Sequence, residues 1–216
     1  LGKETGNTYS AISNGGLVGK VSGRNLTITG CSFTGGFYMA TTRAFYLGGL
    51  VGDADYCDEM VEITDCNVTG DILCVAESIG DINVGGLIGG DSGWSADKLD
   101  IKNCHFKGNI IAKATGDGKE TKINRIGALA ACIAADDLTV KNCTAESRIV
   151  LDGSCGGGET YHAGAMFGGL KYPDVATVSN CSFTGDVTVL GKEGALFDNA
   201  HFGMIVGEDC ASKLNL

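Results

Sequence analysis

One short pattern returns along this chain at nearly constant distance, and that return limits the fold more than anything else in the sequence. The segments LTITGCSFTGGFYM, VEITDCNVTGDILC, LDIKNCHFKGNIIA, LTVKNCTAESRIVL and ATVSNCSFTGDVTV align on Cys31, Cys66, Cys104, Cys143 and Cys181, spaced 35, 38, 39 and 38 residues apart. Ahead of each stands a second block: GGLVG from Gly15 and from Gly48, GGLIG from Gly85, GALAA from Gly127 and GAMFG from Gly164. A sixth copy, GMIVG from Gly203, starts a repeat that is not finished. Such self-similarity marks repeat architectures, in which each unit buries its apolar face only against its neighbours.

The columns of the alignment have a physical reading. Five residues before the cysteine stand Leu26, Val61, Leu99, Leu138 and Ala176, and three before it stand Ile28, Ile63, Ile101, Val140 and Val178. Polar residues such as Thr27, Glu62, Asp100, Thr139 and Thr177 separate them, the period-2 alternation of a strand with one buried face. The next inward place holds Gly30, Asp65, Asn103, Asn142 and Asn180, residue types that tolerate positive φ, so a bend is expected there. After it the cysteine and Phe33, Val68, Phe106, Ala145 and Phe183 point inward. Gly35, Gly70, Gly108 and Gly185 mark a second corner, with Ser147 the exception. A third short strand turns Phe37, Ile72, Ile110, Ile149 and Val187 inward, then Met39, Cys74, Ala112, Leu151 and Val189.

Stacking repeat on repeat lets each short strand pair in parallel with its equivalent, so the expected fold is all-β: a right-handed parallel β-helix, or β-solenoid, of five full repeats of about 38 residues plus a partial sixth. Residues 1–14 read as a lead-in or remnant of a preceding rung, and residues 15–216 as a single solenoid whose partial last repeat begins at 203. The Gly-Leu block is apolar on both alternating faces, and an outer loop is expected to cover the second one. Hairpin sandwiches do not require identical columns, and a leucine-rich horseshoe would show its own consensus.

Composition agrees: 35 glycines and one proline accompany a 44% apolar fraction, which suits ordered, turn-rich β structure rather than a disordered linker. A formal charge of -10 with no basic cluster argues against a nucleic-acid partner. The longest nearly apolar run, Ile126 to Ala135, is about half of the roughly 20 residues that a membrane-spanning helix needs, so no transmembrane segment is expected. Leu1 is not followed by a charged stretch leading into an apolar one, so a secretory leader would lie outside this sequence.

The Gly-Leu-hydrophobic-Gly block followed by an N-C-x-F/V-x-G strand resembles the GLUG repeat of bacterial surface proteins, which include adhesins and the stalks of some immunoglobulin-cleaving peptidases. The resemblance runs from about Gly15 to Gly207; the fourth copy departs most, with GALAA for the glycine block and Glu146-Ser147 for the Thr-Gly corner. It implies an extracellular or cell-surface, non-catalytic region of a longer bacterial protein, with a host or bacterial surface protein or glycan as partner, and it brings no catalytic residues to transfer.

Other motifs have simpler structural readings. Of ten cysteines, the five in the column are expected to be reduced core residues, while Cys57, Cys155 and Cys210 fall in loops where a bridge or reactive thiol stays open; unpaired thiols fit an anaerobic organism. Gly90-Asp91-Ser92-Gly93 resembles a serine-nucleophile context without the barrel that chemistry needs. His105, His162 and His201 fall in different repeats at unrelated places and read as ordinary surface or edge residues. Glycosylation-type patterns at Asn25, Asn67, Asn142 and Asn180 mostly restate the repeat, and Gly156 to Gly158 lack the Lys-Ser/Thr of a phosphate loop.

The loops after the Gly-Leu block are the expected ligand surface. They carry Asp53, Asp55, Asp58, Glu59, Asp91, Asp97, Asp136, Asp137 and Asp174 together with Tyr56, Trp94 and Tyr172. Aromatic faces stack on sugars and hard carboxylate oxygens bind Ca2+, so Tyr56, Trp94, Tyr172, Asp53, Asp55 and Asp91 form the candidate set. No catalytic residue, metal ligand or cofactor is assigned. The primary expectation is a surface, adhesion or spacer module; a carbohydrate- or Ca2+-binding module is the alternative, and a polysaccharide lyase or hydrolase comes third because the acidic residues vary in position between repeats and lie in loops of unequal length.

Overall fold

The computed structural model describes residues 12–41, 44–54, 57–76, 80–90, 96–115, 121–152, 160–171, 173–190, 199–209 and 211–216. The chain is an all-β parallel solenoid of about four turns, each of about 38 residues. The pairing states this directly: Ile28 pairs in register with Ile63, Ile63 with Ile101, Ile101 with Val140 and Val140 with Val178, four parallel steps between five equivalent positions.

Each turn visits three sheets. The first holds six strands, Ile12–Gly15, Phe45–Gly48, Gly80–Gly85, Thr121–Gly127, Thr160–Gly164 and Asn199–Gly203, in chain order across the sheet. The Gly-Leu turn then sends the chain into an eleven-stranded sheet, first as a short strand such as Val51–Asp53 and then as a longer one such as Cys57–Thr64. In the fourth copy Ala130–Lys141 runs through both places without a break. An eight-stranded sheet collects the strands after the cysteine, Asn67–Thr69 and Ile72–Ala76 being one turn's pair.

The expected bend is real. Asp65, Asn103, Asn142 and Asn180 adopt φ of 55°, 52°, 55° and 52°, and Gly30 adopts 63°. Their side chains form a second ladder beside the backbone one: Asn103 Nδ2 donates to Asp65 Oδ1 at 2.9 Å, Asn142 to Asn103 at 3.0 Å and Asn180 to Asn142 at 3.4 Å. The glycosylation-type patterns at Asn142 and Asn180 are thus corner chemistry. Beyond the second corner, Asn109 repeats the device by donating its backbone N–H and Nδ2 to Asp71 Oδ1 at 2.7 and 3.0 Å.

Inward columns are filled. Ile63, Ile101, Val140, Cys66, Cys104, Cys143, Ile110, Ile149 and Leu151 are buried to within 1% of complete exclusion. Members on the first and last described turns, including Phe33, Phe37, Phe183 and Val187, are half-buried against the same core.

The Gly-Leu block is covered, but not by an outer loop. Leu50, Leu87, Leu129 and Met166 lie in the common core, and the glycines let two sheets meet backbone to backbone. A Cβ on Gly48 would strike the Val51 carbonyl oxygen, and one on Gly89 would strike the backbone of Leu47. A Cβ on Gly86 would strike the Phe106 ring, so the block glycine and the aromatic two residues past the cysteine are one packing unit.

Two substitutions test this architecture. Ile101→Asp places an unpaired charge in the central ladder and is expected to lower unfolding free energy by about 4 kcal/mol or more in urea titration; unchanged melting would contradict the buried column. Asn103→Ala, which loses both the positive-φ tolerance and the ladder bonds, should cost about 2 kcal/mol, and Asn103→Gly about half of that.

Candidate functional site

Of the expected ligand set, Tyr56, Trp94, Tyr172, Asp55 and Asp91 lie outside the described residues, as do Cys155 and Cys210. Asp53 is placed, and not in a loop: it ends the strand Val51–Asp53 and is 1% exposed. Its Oδ2 accepts from Ser13 Oγ at 3.3 Å and faces Lys20 Nζ at 3.2 Å, so the carboxylate is committed to an internal ion pair. The three-residue strand was too short to betray this by alternation. Cys57 is also corrected: it begins the strand Cys57–Thr64 and is buried.

The other acidic residues of those segments do come together by stacking. Glu59, Asp97, Asp136 and Asp174 each stand one residue before Met60, Lys98, Asp137 and Val175, which pair in register on successive turns, and all four acids are exposed. Glu59 is occupied by Arg24 at 3.6 Å and by Asn25 Nδ2 at 2.9 Å. Among the described residues, no group of three or more His, Cys, Asp or Glu is placed to hold a metal ion.

Asp100 is unusual on this outer face because it is nearly excluded from solvent. Its Oδ2 meets Lys102 Nζ at 2.8 Å and Lys98 Nζ at 3.1 Å, while Oδ1 is buried without a hydrogen-bond partner among the described residues. Burial pushes the carboxyl up, and the two ammonium groups together outweigh it and hold the acid below its usual range.

A polar seam runs between the first sheet and the strands that follow the Gly-Leu turn, and sequence reasoning missed it. Ser13, Tyr46, Asn83, Arg125, His162 and His201 pair in register along the first sheet. The Ser13 bond to Asp53 crosses to the neighbouring sheet, and Gly90 leaves room there for the Tyr46 ring. Asn83 and His162 are buried. The two histidines, read from sequence as unrelated, are therefore direct neighbours: Nδ1 to Nδ1 is 3.2 Å and the ring centroids are 5.0 Å apart. The signal was present, since every member of this column stands two residues before the first glycine of its block.

The thiol column is continuous and unbridged. Cys31, Cys66, Cys104, Cys143 and Cys181 are free, and each Sγ donates to the carbonyl two residues earlier, at 3.4, 3.1, 3.2, 3.3 and 3.2 Å in that order. In-register side chains about 4.8 Å apart point the same way, which is poor disulfide geometry. Burial pushes the Cys66 and Cys74 thiols up. At the end of the column the Cys143 thiol holds Cys181 down at about 7 against partial burial, and Cys181 opens into a hollow of about 470 Å3 lined by Met166, Phe183, Met204 and Leu216.

Maleimide labelling checks this column. In the native protein Cys31 and Cys181 should react first, the Cys181 rate climbing as pH passes about 7, while Cys66, Cys104 and Cys143 stay protected. Denaturing, non-reducing labelling should modify all five; protection of an adjacent pair would reveal a bridge.

No family model, curated protein or solved structure matches this chain.

Proposed function

We propose that this chain is a non-enzymatic extracellular module of a bacterial surface protein, built as a right-handed β-helix of five full repeats and part of a sixth, which spaces or presents an adhesive surface. The observation that carries this reading is the division between inside and outside. The inward columns repeat from turn to turn and are packed shut, whereas the outer positions vary in charge and size. A periodic scaffold with variable outer positions is suited to display.

The two buried carboxylates among the described residues support the non-enzymatic reading against a polysaccharide-cleaving one. Asp53 is locked to Lys20, and Asp100 to Lys98 and Lys102, so each is held as an ion pair rather than poised beside a second carboxylate. The GLUG-like order of glycine block and cysteine strand favours the extracellular bacterial setting, and the general preference of parallel crossovers favours the right-handed coil.

The test presents the purified protein to arrays of host and bacterial glycans and surface proteins, and incubates it in parallel with the same polysaccharides in solution. Saturable binding without chain cleavage is expected. New reducing ends that grow in proportion to protein added would overturn the reading.

A further inference from the structure

We propose that His162 and His201 form a binding site for a divalent transition-metal ion of the Zn2+ class, held between their two Nδ1 atoms at the edge of the six-stranded sheet. The site is built by the repeat itself. Thr160–Gly164 and Asn199–Gly203 pair in parallel with His162 directly opposite His201, so the backbone ladder fixes the spacing of the two imidazoles. Their Nδ1 atoms stand 3.2 Å apart with ring planes tilted by 42°. With metal–nitrogen bonds of about 2.0 to 2.1 Å, that separation corresponds to an N–metal–N angle of about 100°, close to tetrahedral.

The two rings divide the work. His162 is 2% exposed and held by its surroundings, a pre-set ligand; His201 is exposed on the last strand of the sheet, so an ion reaches the pair from solvent and keeps water at its remaining positions. No third His, Cys, Asp or Glu among the described residues joins them. Without metal, one Nδ1–H donates to the other Nδ1. A bound ion takes the place of that proton, which moves to Nε2 of the same ring, so both imidazoles stay neutral and no proton is lost. Arg125 stands in register on the other side of His162.

Gly169, on the facing sheet, lies in register between Cys132 and Glu208, and contributes no side chain. Thiols elsewhere in the chain are ligands for the same ions, so the test must separate nitrogen from sulfur. Untagged protein with thiols kept reduced by a phosphine is titrated with Co2+ as a spectroscopic stand-in, and its melting is followed with and without millimolar Zn2+. The expected result is visible Co2+ bands without thiolate charge transfer, and a Tm raised by about 3 °C or more. His201→Asn, at an exposed position that leaves the core intact, should abolish both effects. His105→Asn is the control, because His105 Nδ1 already bonds Thr144 Oγ1 at 2.7 Å, and it should change neither. An unchanged Tm in the parent protein, an equal rise in His201→Asn, or a thiolate band would each overturn the site. None of these results bears on the adhesive reading, whose test is binding without cleavage.

Discussion

Everything in this molecule depends on the parallel hydrogen-bonded ladder that places each residue against its equivalent one turn away. Ile101 is held between Ile63 and Val140 by that ladder, and the same registration stacks Cys104 between Cys66 and Cys143. Because the side chain of one turn lies about 4.8 Å from its equivalent on the next, a residue type that suits an inward apolar position on one turn suits it again on the next. Apolar columns then sum into a continuous core without long-range hairpins, and polar columns become hydrogen-bonded stacks such as Asp65, Asn103, Asn142 and Asn180.

Glycine supplies the second constraint. At the Gly-Leu turn two sheets approach so closely that backbone faces backbone, as between Gly89 and Leu47, and any side chain there would push them apart. The fourth copy shows how far the rule bends. Ala128 and Ala131 replace two of the glycines and are fully buried, and the strand there continues unbroken from Ala130 to Lys141. Met204 fills the second-glycine place of the last copy and is 76% exposed.

Polar side chains inside such a stack take their partners from their own or neighbouring rungs, although Asp100 Oδ1 stays without a hydrogen-bond partner among the described residues. The thiols meet carbonyls at the bend, where a small side chain with a weak donor fits both the apolar core and the turn. Asp53 and Asp100 meet lysines, and His162 meets His201. In each case the partner comes from the same or a neighbouring turn, so the chemistry of a polar column is set by what the repeat puts next to it.

Much of the fold was legible from residues alone. The spacing of Cys31, Cys66, Cys104, Cys143 and Cys181, the alternation around Ile101 and the αL-tolerant residues at the bend determined parallel stacking, the inward columns and the corner, because period and φ preference are local properties of the chain. The polar seam was not legible in the same way. Asp53 belongs to a three-residue strand with no alternation to reveal its side, and its partners Ser13 and Lys20 precede it by 40 and 33 residues. The pairing of His162 with His201 lay in the alignment on the glycine block, but only the folded register turned a shared column into a 3.2 Å contact. Sequence thus decided which residues repeat and which face inward. Tertiary structure alone decided which polar residues are buried together, since that depends on two sheets meeting across a turn rather than on the pattern within either strand.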